Sequence, residues 1–207
     1  MIKPGTDEEF RKFIEDHRVR WSYANSILYG MCRERLKHVL KDVAASKLFL
    51  ISRGFFDAES QSGLLSEDEG YYYNVIAPRL QSEASQIDHY ISYLNEDCRT
   101  IAECRPVTLE AHKYLMDLFA DFNMPDNHVL SARYLHFHCP GKVFLYSRKA
   151  DDRVSGIVTL EGERNMPEIH DDIYLVFYDK ALELHEYLFK ETGIHRSPIE
   201  INRFLTA

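Results

Sequence analysis

The chain has 207 residues and a formal net charge of −8, with 33 acidic and 25 basic side chains. This length suffices for one domain with a substantial core, and the acidic excess weighs against a protein that wraps duplex DNA, because neutralising phosphates needs a basic surface. The N-terminal segment is polar and no run of about 18 apolar residues follows it, so we predict neither a signal peptide nor a membrane span and expect one cytoplasmic domain over residues 1–207.

Hydrophobic residues recur at helical spacing through the first half of the chain. We expect helices over residues 7–17, 43–56, 71–80 and 84–94, with residues 62–70 as a polar, acidic connection. The apolar residues of the second helix are too dense for an element with a solvent-facing side. That helix is therefore predicted to lie at the centre of the core.

The second half of the chain continues the helical pattern with one exception. Thr108 is placed to cap a helix over residues 109–122, with Val107 before it as the outer half of a hydrophobic staple. Residues 154–160 are rich in β-branched side chains, which favours a small β-hairpin.

A long helix is expected near the C-terminus. Asp171 or Asp172 can cap its start, and Gly193 can end it as a C-cap. The expected fold class is therefore mainly α, with at most one small β-hairpin.

The stretch between these helices carries the candidate functional residues. Apolar side chains within residues 129–137 share one face of a short helix, which the Pro-Gly pair at 140–141 stops before a buried apolar run at 143–146. Arg133 is expected just off the apolar face, near enough to line a cleft, and Ser147 where the buried run ends and a polar group can meet a ligand. An ordinary helix, turn and buried extended segment is the alternative.

This stretch also contains a sequence motif that resembles one found in a bacterial protein family. Residues 131–150 read SARYLHFHCPGKVFLYSRKA, which is similar to S-K-Y-L-H-F-H-x-P followed by a short gap and F-x-I-Y-D-S-R-A. The chain resembles the family with the fold of 8-oxoguanine DNA glycosylase, and the resemblance runs in the same order over nearly the whole sequence. Its other landmarks are Trp21, Tyr29, Met31, Cys32, His38 and residues 45–53, 72–78 and 200–205.

The resemblance implies a helix-hairpin-helix glycosylase-like fold with two helical lobes around a cleft. In such glycosylases a lysine amine can attack the sugar carbon, while an aspartate stabilises positive charge on the sugar. The matching positions here are Arg133 and Ser147. A guanidinium is not deprotonated in a protein and a hydroxyl has no negative charge, so we expect a degenerate catalytic site.

Two further features bear on activity. The glycine-rich hairpin that grips DNA phosphate in typical members is replaced by Asn-Met-Pro-Asp-Asn at residues 123–127. Lys149 with Asp151 or Asp152 forms a shifted catalytic pair if the match slips by a few residues. An active N-glycosylase or lyase therefore stays open as an alternative.

The expected ligand-binding residues lie within the signature, residues 131–150, and at two earlier positions, Trp21 and Arg53. Trp21 and the tyrosines at 71–73 can sandwich a base expelled from a nucleic-acid stack, although such aromatic residues are commonly core or rim residues. Arg53 ends an apolar helix, where a guanidinium needs an anion, a carbonyl cluster or a buried carboxylate partner. The complete set is Trp21, Arg53, Arg133, His136, His138, Tyr146 and Ser147.

No metal site or cofactor is expected. His136, His138 and Cys139 are close in sequence, but neighbours on a helix point to different faces and do not converge easily on one ion. The four cysteines are expected to be free thiols. Two groups of cations, within residues 33–41 and 142–153, can bind phosphate or form solvated faces.

Relatives with this signature occur in bacterial anti-phage operons, including the cyclic-oligonucleotide signalling systems known as CBASS. The resemblance therefore implies an accessory protein of phage defence that recognises a modified base, a nucleotide or a partner protein, with no membrane partner. A structural subunit of a defence complex is a further alternative.

Overall fold

The structure, a computed structural model, describes residues 1–16, 23–53, 69–96, 99–122, 127–160 and 172–207. These residues are mainly helical, which confirms the predicted fold class at that level, and none of their helices is long and apolar enough to cross a membrane. In chain order the helices are α1 (Thr6–Asp16), α2 (Tyr23–Glu34), α3 (Lys41–Arg53), α4 (Glu69–Tyr71), α5 (Ala77–Ser82), α6 (Ala84–Leu94), α7 (Ile101–Ala120), α8 (Asn127–His138), α9 (Arg148–Ile157), α10 (Asp172–Thr192) and α11 (Pro198–Thr206), with a π-helical segment, Tyr72–Ile76, between α4 and α5.

Buried apolar side chains form two clusters. The first cluster is built by α2, α3, the π-helical segment, α5 and α6, and the second by α1, α9, α10 and α11. Helices α7 and α8 contribute side chains to both clusters, and they pack against each other. Helix α8, which contains the first part of the signature at residues 131–138, therefore lies between the two halves of the core.

The predicted helices of the first half are present with small shifts at their ends. Residues 54–56, at the end of the second predicted helix, lie outside the described residues, as do residues 62–68 of the predicted connection. Glu69 and Gly70 are helical, which corrects the end of that connection.

The π-helical segment interrupts the predicted helix 71–80 immediately before a proline. The Ala77 N–H bonds the Tyr72 carbonyl, five residues back, instead of the usual four. Pro78 has no N–H, and its ring crowds the carbonyl four residues earlier in a regular helix. The wider turn gives that carbonyl room.

The predicted start of α7 was wrong. The helix begins at Ile101, after a capping box in which Thr100 and Glu103 bond each other's backbone N–H groups. Thr108 is buried inside the helix, where its hydroxyl donates to the Cys104 carbonyl at 2.9 Å. Pro106 removes one helical hydrogen bond but does not end the helix, because the capping box stabilises the turn before it.

The predicted hairpin at 154–160 was also wrong. Val154 and Ile157 belong to α9 and are buried in the second cluster. Packing of one helical face outweighs the strand preference of β-branched side chains. Only Val158 pairs as a strand would, through an isolated bridge to Ile2, and this is the sole such pairing among the described residues.

The long C-terminal helix agrees with the prediction. Gly193, with φ of 68°, adopts the left-handed conformation of a C-cap, and its N–H bonds the Phe189 carbonyl at 2.8 Å. Helix α11 follows, capped by a Ser197–Glu200 capping box that the sequence interpretation did not use.

A buried ion pair connects α7 to α10. Arg105 donates two hydrogen bonds to the carboxylate of Asp179, at 2.5 and 2.8 Å, and the Asp179 side chain is almost fully buried. A planar guanidinium matches a carboxylate in this two-bond geometry. The pair therefore helps to hold α10 and the second cluster against α7.

Replacement of Asp179 by alanine is expected to lower the free energy of unfolding by about 2 kcal/mol, because it leaves a partly desolvated guanidinium without its counter-charge. Asp117→Ala is the control, since it breaks the exposed Lys113–Asp117 pair on α7, the helix of Arg105, and a loss of about 0.5 kcal/mol or less is expected. Urea denaturation measures both values. Equal losses in the two variants would show that the Arg105 pair has no special role.

Candidate functional site

Helix α8 is buried on every side. All residues from 130 to 138 are buried, and Arg133 is only 7 % exposed. A helix that is buried all round has no polar face toward solvent. The apolar stripe predicted from the spacing is thus one part of a fully buried surface, and Arg133 lies in the interior between the two clusters.

His136 joins α8 to two other elements through both ring nitrogens. Its Nε2 lies 2.7 Å from the Tyr29 hydroxyl of α2, and its Nδ1 lies 2.7 Å from the Val143 carbonyl. One tautomer satisfies both contacts, with Nδ1–H donating to the carbonyl and Nε2 accepting from the hydroxyl. Burial lowers the pKa of His136 to about 4, so the ring is neutral at pH 7. Its ligand-binding role stays a prediction.

Tyr134 and His138 of α8 meet a buried histidine from the loop between α2 and α3. The Tyr134 hydroxyl lies 2.5 Å from His38 Nε2, and a carboxylate oxygen of Asp88, on α6, lies 2.6 Å from His38 Nδ1. His38 therefore donates to the carboxylate and accepts from the hydroxyl. The His138 ring packs against it, with centroids 5.2 Å apart, while His138 Nδ1 donates to the Tyr134 carbonyl at 2.7 Å.

Lys47 of α3 is fully buried beside these groups. Its Nζ donates to the Leu36 carbonyl at 3.2 Å and lies 3.5 Å from His38 Nε2. Burial lowers the pKa of Lys47 to about 8, and the acidic groups of Cys32 and Asp88 oppose that shift. Burial, and then the charge of Lys47, lowers the pKa of His38 to about 3. We refer to Lys47, His38, Asp88, Tyr134 and His138 as the buried polar network.

The buried polar network has the order of a hydrolase triad but not its access. Carboxylate, imidazole and hydroxyl follow one another, as they do where a histidine activates a nucleophile. The hydroxyl of Tyr134 is in the core, however, and burial keeps its pKa well above the usual range. No substrate reaches that oxygen in this conformation, so the arrangement acts on structure.

What the buried polar network holds in place is the loop between α2 and α3. Lys47 fixes the Leu36 carbonyl, and Asp88 holds the His38 imidazole. From α5, Gln81 donates to the Val39 carbonyl at 2.7 Å. The loop backbone is thereby fixed to three helices along most of its length.

Ser147 is the N-cap of α9. Its Oγ accepts the Ala150 N–H at 3.1 Å, which satisfies one of the unpaired donors at the start of the helix. The neighbouring Tyr146 is half-buried against α10, with its ring centroid 5.2 Å from that of Phe177. Lys149 is exposed and donates to the Thr206 carbonyl at 2.6 Å.

Several predicted site residues lie outside what the structure describes. Trp21 and residues 123–126, most of the predicted turn, are outside the described residues. The backbone of Arg53 ends α3, but its side chain is not described. The ligand-binding roles of Trp21 and Arg53 stay predictions.

The described residues line an open cavity of about 550 Å³ between α3 and the π-helical segment. This volume is in the range of small-molecule sites. Phe49 packs against the buried Tyr72 behind the cavity, with ring centroids 5.0 Å apart and planes at 88°. Tyr73, 44 % exposed, also lines the cavity. The remaining lining residues are Asp42, Ala45, Ser46, Leu50, Gly70 and Asn74.

The cavity and the network share helix α3 but use different sides of it. Lys47 points into the core, whereas Asp42, Ser46 and Leu50 are exposed and line the cavity. The sequence signal that indicated this site was the run of tyrosines at 71–73. The α3 contribution was missed, because a dense apolar helix was expected to be buried all round.

The thiols of Cys32, Cys104 and Cys139 are free, as expected from the sequence, and Cys98 lies outside the described residues. Within the described ranges, no three His, Cys, Asp or Glu side chains are grouped as metal ligands would be.

No protein-family model, curated protein or solved structure matches the chain. The family resemblance therefore stays a prediction from the landmarks quoted above.

Acidification from about pH 7 toward about pH 5 is expected to lower the free energy of unfolding, with a slope that approaches about 1.4 kcal/mol per pH unit for each buried histidine only below about pH 6. The native pKa values of His38 and His136, about 3 and about 4, lie below the ordinary 6.5. Between these pKa values the histidines are protonated in the unfolded chain and neutral in the folded chain. The stability that they contribute above pH 6.5 is therefore lost as the pH falls toward 4. Urea titrations at a series of pH values measure this slope.

His136→Gln is expected to reduce the number of protons taken up on unfolding by about one, which makes the dependence of stability on pH less steep. The control is His89→Gln, at an exposed position of α6, which should leave the slope as in the parent protein. An unchanged slope in His136→Gln would mean that this ring is charged in the fold.

Proposed function

We propose that this chain is a non-catalytic, helix-hairpin-helix glycosylase-like protein that binds a nucleobase or nucleotide, and that it serves as an accessory protein of bacterial anti-phage defence. The observation that carries the binding function is the aromatic-walled cavity between α3 and the π-helical segment. The defence setting and the fold family rest on the sequence resemblance, which the mainly helical architecture accommodates.

The aromatic walls suit a flat ring. A base gains about 1–3 kcal/mol from stacking on an aromatic side chain, whatever its hydrogen-bonding edge. Tyr72 is only 2 % exposed and belongs to the core behind the cavity, where its hydroxyl is 3.1 Å from Ser52 Oγ. Its ring meets Phe49 at 88° and so holds Phe49, which together with the exposed Tyr73 forms the accessible aromatic wall. A preformed wall loses little entropy when a ligand binds.

The polar groups of the cavity suit the edge of a base. Ser46 and Asn74 are exposed and have no hydrogen-bond partner among the described residues. Asp42 adds a carboxylate, whose negative charge raises the pKa of the nearby Tyr73 hydroxyl. A hydroxyl, an amide and a carboxylate together offer donors and acceptors for the amino and carbonyl groups of a base.

The signature positions support binding without bond cleavage. Arg133 retains its charge in the interior and has no amine to form an imine. Ser147 uses its oxygen as a helix cap and has no charge to stabilise an oxocarbenium ion. Both positions therefore favour maintenance of the fold over glycosylase chemistry.

Tyr73→Ala is expected to weaken the binding of nucleosides at least about tenfold, through the loss of one stacking surface. Isothermal titration with adenosine, guanosine, cytidine, uridine and 8-oxoguanosine measures the affinities. Val75→Ala is the matched control, because Val75 is exposed on the same π-helical segment and does not line the cavity. If neither the five nucleosides nor their 5′-monophosphates bind up to their solubility limits, the binding function is wrong and the structural-subunit alternative gains support.

Borohydride treatment of the protein mixed with duplex DNA that contains 8-oxoguanine or an abasic site is expected to trap no covalent adduct. An imine needs an accessible neutral amine, and the lysine with a lowered pKa, Lys47, is fully buried. Denaturing gels detect an adduct directly. A trapped adduct would contradict the non-catalytic proposal and direct mutagenesis first to the exposed Lys149.

A further inference from the structure

The chain is acidic overall, yet one segment beside the cavity is strongly basic. We call residues 33–41 the basic segment. Arg33, Arg35 and Lys37 are exposed, and the described residues offer them no ion-pair or hydrogen-bond partner. The cations of the other basic group, by contrast, are partly used, since Lys149 bonds a carbonyl and Arg153 pairs with Glu9. Lys37 also acts electrostatically on the Asp88 carboxylate. Glu34 lies between Arg33 and Arg35, so the basic segment keeps a net positive charge that is partly offset.

The basic segment reaches the rim of the cavity. Lys41, its last residue and the first of α3, places Nζ 3.9 Å from the centroid of the Tyr73 ring, which lines the cavity. Lys37 is four residues away, at most about 14 Å along an extended chain. A group attached to a ligand in the cavity is therefore within reach of this positive charge.

The backbone of the basic segment is held rigidly, although its cations are solvated. Lys47 bonds the Leu36 carbonyl, and Gln81 bonds the Val39 carbonyl. His38 is buried between them against Asp88. Arg35 and Lys37 project from a fixed backbone on either side of an anchored carbonyl. Such preorganisation favours recognition of a compact anion.

We infer that the basic segment binds the phosphate of a nucleotide whose base occupies the cavity, so that the ligand is a nucleoside phosphate and not a free base or nucleoside. This inference rests on the proposed function of the cavity. Arg35 and Lys37 supply the charge, since a guanidinium binds phosphate oxygens in a two-bond fork and an ammonium binds as a point charge. Asp42, at the cavity, repels phosphate and so favours a pose with the base inside and the phosphate toward the basic segment.

The direct experiment is a paired titration of each ribonucleoside and its 5′-monophosphate into the intact protein. The monophosphate is expected to bind at least about tenfold more tightly at about 50 mM salt, and the advantage should shrink at about 200 mM because exposed charges are screened. The affinity of the nucleoside should change little with salt.

The double variant Arg35→Gln, Lys37→Gln is expected to abolish the advantage of the monophosphate while leaving nucleoside affinity as in the parent protein, because neither residue lines the cavity. Lys12→Gln, Lys190→Gln is the matched control. It removes the same net charge from exposed positions on α1 and α10, on the side of the second cluster, and should retain the advantage.

The outcomes separate the two proposals. Equal affinity for nucleoside and monophosphate would overturn the phosphate site and leave the cavity as a base site. Inorganic phosphate that binds as tightly as the monophosphate would also overturn it, since the base would then contribute nothing. If neither the nucleoside nor the monophosphate binds, the proposed binding function of the cavity is itself wrong. If duplex DNA binds tightly and the nucleotides do not, the basic segment contacts the phosphates of a nucleic acid, and the inference is wrong.

Discussion

Burial of the Lys47 ammonium inside an apolar cluster is the constraint on which this half of the protein depends. An isolated charge in a core is strongly unfavourable, so it must find hydrogen-bond acceptors or lose its proton. Here the Leu36 carbonyl and the His38 imidazole are drawn to it, and Asp88 and Tyr134 complete the set. The loop between α2 and α3 is folded back over α3 as a result.

That constraint also organises the surface. With Lys47 on the core side of α3, the opposite side of the helix carries Asp42 and Ser46 and forms one wall of the cavity. With His38 drawn inward, its neighbours Lys37 and Val39 are exposed. Under the proposed function, core electrostatics and ligand recognition are two consequences of the same buried polar network, and variants that disturb the network should alter ligand binding without touching the ligand.

Under the proposed function, the two signature positions have structural roles. Serine and aspartate are similarly good N-caps, so the serine at position 147 serves the start of α9 without a negative charge. Arg133 is 7 % exposed on the buried helix α8.

Local signals in the sequence predicted the elements whose ends depend on local chemistry. The bounds of α6 and the C-cap at Gly193 are examples, because periodicity and a left-handed glycine are properties of short segments. Residues 154–160 and Thr108 were misjudged for the opposite reason, since burial against the second cluster and a capping box upstream decided those structures.

For the candidate site, the sequence leaves two interpretations open for the tyrosines at 71–73, base recognition or core and rim positions, and two for the cations within 33–41, phosphate binding or a solvated face. Tyr72 lies in the core, and Tyr73 is exposed at the cavity. What the sequence could not show was that α3 and the π-helical segment bring these two features together. That requires the tertiary contact between Lys41 and Tyr73 and the anchoring of the loop by Lys47. Pairings of this kind depend on long-range packing, which has no local signature.

The most direct test of the central claim is a crystal structure of the intact protein with a nucleoside 5′-monophosphate bound. The base is expected against Phe49 and Tyr73, with the phosphate toward the basic segment. A nucleotide bound instead beside Arg133 and Ser147, with the cavity between α3 and the π-helical segment empty, would contradict the account and return the site to the glycosylase-like signature.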